Sequence, residues 1–208
     1  MQGYSYVAIA ALVPLQLAKQ LSILSQDFSL KFKSWFVLDT IKFPPHVTIW
    51  IAYVPTKNLP QICNESRRAI AQFPHFNIHI NEEHVEKEGF VSLKIYKTKE
   101  ITELHQSLLR QLNKWREGYL DQKYVQNFNN YPKEQQENLK QFGTRFAGKL
   151  FNPHVTIAMV NPEFVEEVKR IMPKINSSFE VCELILFKQV ESGKSIEILE
   201  RFPISEKK

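Results

Sequence analysis

The sequence is poor in the residues on which several protein classes depend. It has only two cysteines, Cys63 and Cys182, among 208 residues, and they form no CxxC pair. That excludes a disulfide scaffold and the usual zinc-ribbon spacing; the two are expected to be buried free thiols in a reducing cytoplasm. Glycine is equally scarce: the 6 residues make no phosphate-cradling loop, and neither a G-x-S-x-G nor a cysteine-nucleophile signature occurs. Nucleoside-triphosphatase and common hydrolase chemistry are thereby set aside. With 43% hydrophobic and 24% charged residues, a disordered, collagen-like or low-complexity chain is excluded as well. No apolar run reaches the ~18 residues of a membrane span. The opening YSYVAIAALVPL has the length of a signal-peptide core, but no Lys or Arg precedes it and an amphipathic segment follows Pro14. It is expected to be a first buried strand.

What remains is an ordinary globular chain, long enough for one domain or two closely packed halves. Its net charge of +5 and pI near 9.1 lean toward an anionic partner such as RNA or a nucleotide, or reflect no more than a surplus of surface lysine.

The strongest signal is a repetition. FPPHVTI, residues 43–49, returns as FNPHVTI, residues 151–157, with a single change. Chance would repeat a string such as PHVTI in about one chain of this length in a hundred. A similar series of elements follows each copy. The first opens a strand, Val47 to Val54, then a helix through LPQICNESRRAIAQF and two β-rich runs, HFNIHI and GFVSLKIY, parted by polar NEEHVEKE. The second opens a strand, Val155 to Val160, then the helix NPEFVEEVKRIMPKI and the runs FEVCELILFKQV and SIEILERFPI, joined at Ser192 and Gly193. Before the first motif, PLQLAKQLSILSQDF reads as a helix and KFKSWFVLD as a short β-rich piece. Between the copies, Ile101, Leu104, Leu108, Leu112 and Trp115 mark an amphipathic helix. The stretch 118–145 reads as an insertion, either a lid over a site or a surface addition. With no Gly/Ser linker, residues 1–208 form a single domain of two motif-bearing halves, approximately 1–100 and 101–208. The fold class is α+β: two pseudo-symmetric lobes, each an antiparallel sheet with helices outside, facing across a central cleft.

Side chains two apart on a strand share a face, so His46 and Thr48 point one way while Val47 and Ile49 point to the core; His154 and Thr156 repeat this. Pro45 and Pro153 fix the chain as it enters each strand. If the halves face each other, both imidazoles and both hydroxyls meet in one groove. Histidine titrates near pH 6.5, so one copy can take a proton from an attacking hydroxyl or water while the other protonates a departing ribose oxygen. The two threonine hydroxyls can donate to the non-bridging oxygens of a phosphate as charge builds on them. This chemistry needs no metal and no cofactor. The residues leave open which histidine is base and which acid.

The paired motifs His46-Val47-Thr48 and His154-Val155-Thr156 resemble the two H-x-[ST] motifs that define the 2H phosphoesterase superfamily. The closing ELILFKQVESGKSIEILERFPI is similar to the ending of its 2'-5' RNA ligase and cyclic phosphodiesterase branch. The resemblance implies a bilobal α+β fold with two sheets lining a V-shaped cleft. It further implies metal- and ATP-independent attack on 2',3'-cyclic or 2'-5' phosphodiesters of RNA or nucleotides; the protein is expected to be cytoplasmic and monomeric. The chain departs from that branch in the length of the segment before the second motif and in Ala158-Met159 after it. A cleft that binds nucleotide or RNA without catalysis, and a duplication serving structure alone, are the competing readings.

Further candidates for substrate binding are Trp50, which continues the His46–Thr48 face and either stacks on a base or packs in the core, Tyr6, and the cations Lys42, Arg145 and Lys149. Phe43 and Phe151 are expected to anchor the repeated turn. His75, His79 and His84 are spaced by four and five residues, which does not gather them on one strand face, and no metal site is expected there. His105 lies among polar residues and is expected to be solvated.

Overall fold

A computed structural model describes residues 3–190 and 193–206. Its strands are β1 (Tyr4–Leu12), β2 (His46–Pro55), β3 (Phe76–Val85), β4 (Phe90–Ile95), β5 (His154–Met159), β6 (Ser177–Val181), β7 (Glu183–Val190) and β8 (Ser195–Pro203). The helices are α1 (Leu15–Phe32), α2 (Leu59–Ile70), α3 (Lys99–Leu112), α4 (Gln122–Gln126), α5 (Lys133–Phe142) and α6 (Val165–Ile171). The strands form one antiparallel sheet in the order β6-β3-β4-β5-β2-β1-β7-β8.

The motif strands β5 and β2 lie side by side at the centre, joined by the single register pair Val47↔Val155. Each has its own outer neighbours, but these are exchanged between the halves of the sequence. The hairpin β3–β4, which follows the first motif, pairs with β5; the hairpin β7–β8, which follows the second, pairs with β1 and so extends the sheet beside β2. The spatial halves therefore interleave residues 1–100 with 101–208.

β1 reads as a nearly unbroken apolar run because it is covered on both faces. Val7, Ile9 and Ala11 join the core shared with α1, α2 and α3, while Ala8 and Ala10 face Phe36, Leu38 and Phe43 on the opposite side. Those three belong to the KFKSWFVLD region, where a β-rich piece was expected, and the turn after it. The apolar alternation is real, with Phe36 and Leu38 buried and Val37 exposed, but no strand runs alongside. Lys31 and Phe32 end α1, the chain turns at Lys33 (φ 54°), and the Asp39 carboxylate accepts from the amides of Ile41, Lys42 and Phe43 at 2.6, 2.5 and 3.2 Å. This folds the segment into a plug over the sheet.

Other boundaries also moved. β3 runs through Val85, into the polar stretch expected to be a connection, because it pairs with β4 as far as Val85↔Val91. FEVCELILFKQV is divided at Cys182 into β6 and β7, which lie toward opposite ends of the sheet. The helix expected to reach Phe73 stops at Ile70, and the one after the second motif is a 3-10 turn followed by α6. Of the expected turn pair, Gly193 has φ 87°, and Ser192 lies outside the described residues. The two thiols are free, yet Cys63 is half-buried and Cys182 exposed, correcting the expectation that both are buried. Among the described residues no helix is long and apolar enough to cross a membrane.

Candidate active site

The two copies of the motif adopt the same local structure. Pro45 and Pro153 turn the backbone so that the carbonyl two residues before each histidine faces its ring: His46 Nδ1 lies 2.8 Å from Pro44 O, and His154 Nδ1 lies 2.8 Å from Asn152 O. A carbonyl only accepts, so Nδ1 carries the proton in both, which leaves Nε2 as the atom that exchanges one. Phe43 and Phe151, each 7% exposed, anchor the two turns alike.

Each motif strand then carries a bulge at its isoleucine. β1 pairs Ala10 with Thr48 and Ile9 with Trp50, skipping Ile49; β4 pairs Ser92 with Thr156 and Val91 with Ala158, skipping Ile157. An extra residue inverts the alternation beyond it. Trp50, expected to continue the cleft face, borders the cavity but packs with the core at 3% exposure; Ala158 is buried at 0%, and the positions that follow on the cleft side are Ile51, Tyr53 and Met159.

His46, Thr48, His154 and Thr156 line one cavity of about 650 Å³. His46 lies within electrostatic reach of His154, whose charge is among the causes that lower the His46 pKa. The main cause is burial: the His46 ring sits between Phe43 and Phe187, with centroids at 6.0 and 5.0 Å, and the Pro44 hydrogen bond opposes the shift only in part. His154 has one such neighbour, Phe90 at 6.1 Å, and its hydrogen bond to Asn152 is solvent-exposed where that of His46 is part-buried. Two similar rings thus occupy unequal surroundings.

The strand directions give the cavity two distinct ends. β2 and β5 are antiparallel, so Tyr53 lies beyond Thr48 in one direction and Met159 beyond Thr156 in the other. At the Met159 end stands Trp35, whose amide donates to Met159 O at 2.9 Å while Ser34 Oγ accepts from Met159 N at 3.1 Å. At the Tyr53 end stand Tyr6, Lys123 and Tyr124. Of the other expected residues, Tyr6 and Trp50 line the cavity, but Lys42, Arg145 and Lys149 are not among its lining. Lys42 and Lys149 are exposed, and Arg145 sits behind Tyr124 and Phe146. Trp35, Tyr53, Lys123, Tyr124 and Met159 were not anticipated: Tyr53 and Met159 have the wrong parity without the bulges, and the others come from outside the sheet.

His105 is not solvated. It is 2% exposed, stacked on Phe151 with centroids 3.9 Å apart, and its Nδ1 lies 2.6 Å from the carbonyl of the bulged Ile49. Nε2 accepts from the Gly148 amide at 3.0 Å, so the ring is neutral; burial pushes its pKa down to about 4, with the Lys97 charge adding and the Ile49 bond opposing. It fastens the first motif strand to the loop that leads into the second.

No group of His75, His79 and His84 forms a metal site among the described residues. His75 instead lies with Glu180 and Cys182, ligand atoms within 4.8 Å of one another, where β3 meets the edge strand β6. That position is outside the cavity lining.

The sequence profile of the 2'-5' RNA ligase superfamily matches residues 40–193, both motifs included. The chain belongs to that superfamily. Similar solved structures agree in fold: E. coli LigT in complex with 3'-AMP is 13% identical over 98% of this chain and 100% of its own, with a TM-score of 0.63. The protein TT0787 of Thermus thermophilus is 16% identical over 98% of this chain and 100% of its own, with a TM-score of 0.60. No curated protein sequence matches the chain. The superfamily match covers residues 118–145, which carry α4 and α5 and precede the second motif.

Proposed function

We propose that this member of the 2'-5' RNA ligase superfamily is a phosphodiesterase that uses His46 and His154 as general base and general acid on a 2',3'-cyclic phosphate or a 2'-5' phosphodiester of RNA or a nucleotide. The reading rests on one observation: two imidazoles, each with Nδ1 committed to a backbone carbonyl, share a cavity with two threonine hydroxyls. That set supplies both proton transfers and two donors for the non-bridging oxygens, so the proposed mechanism requires neither metal nor ATP. His46, whose pKa is lowered mainly by burial, is the base in hydrolysis: neutral at cellular pH, it removes the proton from the attacking water. His154 protonates the departing ribose oxygen, and the roles exchange in the reverse, ligating direction. Thr48 and Thr156 hold the phosphoryl oxygens. Solved structures of E. coli LigT, similar in fold, hold 3'-AMP, ATP, NADP+ and phosphate, in keeping with a nucleotide in such a cleft. Free thiols at Cys63 and Cys182 fit a reducing cytoplasm, and we take the protein to act as a monomer.

The test is turnover of cyclic mononucleotides and 2'-5' dinucleotides without ATP and in EDTA. Each of His46→Ala and His154→Ala should lower kcat by about 10²–10⁴, and kcat/KM should be bell-shaped in pH, its acidic limb below the ordinary imidazole value because the His46 pKa is lowered. Complete loss of activity on chelation would reject the metal-independent mechanism. Tight binding by the unaltered protein without turnover would make it a binding module with the same cleft.

A further inference from the structure

The Tyr53 end of the cavity holds a cation among phenols. The Lys123 ammonium lies 5.0 Å from the Tyr124 ring centroid, 5.5 Å from Tyr6 and 5.7 Å from Tyr53. Tyr6 and Tyr53 are opposite partners on β1 and β2, with ring centroids 4.4 Å apart. The side chains that fix this cluster come from residues 118–145. Asp121 caps α4 and hydrogen-bonds Tyr53, while Arg145 hydrogen-bonds Tyr124, its guanidinium 5.0 Å from the Tyr131 and Phe146 rings. Lys123 itself is exposed and makes no salt bridge among the described residues.

Rings over a cation hold it in place without neutralising it, so its charge stays available to an anion. Tyr124 accepts from Arg145, so its own O–H is free to donate, whereas the Tyr53 O–H is given to the Asp121 carboxylate and serves to hold the cluster in place. Burial, the leading cause, raises the pKa of Tyr124, which keeps it protonated as a donor. Lysine with a neutral hydroxyl donor is a phosphate-binding combination. Tyr53 lies five residues beyond Thr48 and the bulge takes up one of them, so the cluster is about 13 Å along the strand from the threonine, at ~3.3 Å per residue. One nucleoside with a phosphate at each end fills that span once side chains reach in from both sides.

We propose that Lys123, with Tyr124, forms a second phosphate subsite, selecting substrates whose nucleoside carries a phosphate on its 5' side as well as the reacting phosphate at the histidines. This rests on the phosphodiesterase reading for the central site. The 5' phosphate is either terminal or the next internucleotide link.

The experiment is calorimetric binding to the full chain of 3'-AMP, of adenosine 3',5'-bisphosphate, and of a 3'-phosphorylated dinucleotide. Both 5'-phosphate-bearing probes should bind at least about tenfold more tightly than 3'-AMP, the worth of one charge-assisted hydrogen bond. Whichever gains more identifies the source of the phosphate. Lys123→Met should reduce them to the affinity of 3'-AMP while leaving 3'-AMP itself unchanged, and Lys123→Arg should keep the gain. Equal affinities for all three probes, or a Lys123→Met protein weakened equally toward all of them, would overturn the subsite. Failure of the phosphodiesterase reading would show elsewhere, as wild-type protein that turns over no substrate of either kind.

Discussion

At the scale of single residues, the histidines divide by what their second nitrogen does. In His46 and His154 one nitrogen is tied to a carbonyl and the other is left to the cavity; in His105 both are committed, Nδ1 donating to Ile49 O and Nε2 accepting from Gly148 N. A proton added to His105 would remove its acceptor and leave a charge in the core. Its folded-state pKa of about 4 lies below the ordinary 6.5, so the unfolded chain binds the proton first. The stability contributed by the neutral ring is therefore complete above pH 6.5 and is lost as the pH falls toward 4, by about 3 kcal/mol at most for a shift of this size. Urea unfolding at pH 7.5, 5.5 and 4.5 checks this. The His105→Asn protein should be less stable at pH 7.5 but should lose less on acidification than the parent. Parallel pH dependences would mean that His105 does not carry the effect. Helical spacing from Ile101 through Leu104 and Leu108 does place His105 on the apolar face of α3; what the local sequence does not carry is its partners, a bulge carbonyl 56 residues upstream and an amide 43 residues downstream.

At the scale of elements, the repeated strand was legible and its inversion was not. Alternation within FPPHVTI and FNPHVTI assigns His and Thr to one face, and the structure agrees as far as Thr48 and Thr156. Beyond them a bulge is made by pairing with a neighbour remote in sequence, which is why Tyr53 was overlooked and why Trp50, though it borders the cavity, is packed in the core. The segment at Phe36–Leu38 shows the converse: it alternates like a strand but lacks a partner, so the pattern records burial without a ladder. Between β3 and β4, Gly89 has φ 91°, its carbonyl accepts from Val160 N at 2.9 Å, and a Cβ built there would lie 2.0 Å from Val160 O. Gly89→Ala should cost at least about 2 kcal/mol, from backbone strain and from prising β4 off the end of β5. It should also reduce kcat/KM, because the neighbouring Phe90 flanks His154. Gly118→Ala is the comparison: φ is 73° but nothing lies within 4 Å, so it should show the strain alone, about 1 kcal/mol. Equal losses of stability in the two variants would remove the role given to the Val160 contact.

At the scale of the whole molecule, the division of the sequence into two motif-bearing stretches does not correspond to two folding units. Residues 1–100 contain β1–β2 and the hairpin β3–β4, but that hairpin forms its ladder with β5 and β6, which lie in residues 101–208. The second stretch in turn contains β7–β8, which join the sheet only through β1. Between the motif strands themselves there is one register pair, Val47↔Val155, too little to hold two finished halves together. What unites them is the exchange, along with a common core in which Val7, Leu104 and Val155 belong to one cluster. A lone hairpin is marginal in water, so each stretch alone leaves strand edges and apolar faces uncovered. Fragments 1–100 and 101–208, produced separately, should therefore show no cooperative unfolding transition by circular dichroism. Produced together, they should associate and recover both the transition and the two-histidine site. A fragment that unfolds cooperatively by itself would show that the exchanged hairpins are not what closes the fold.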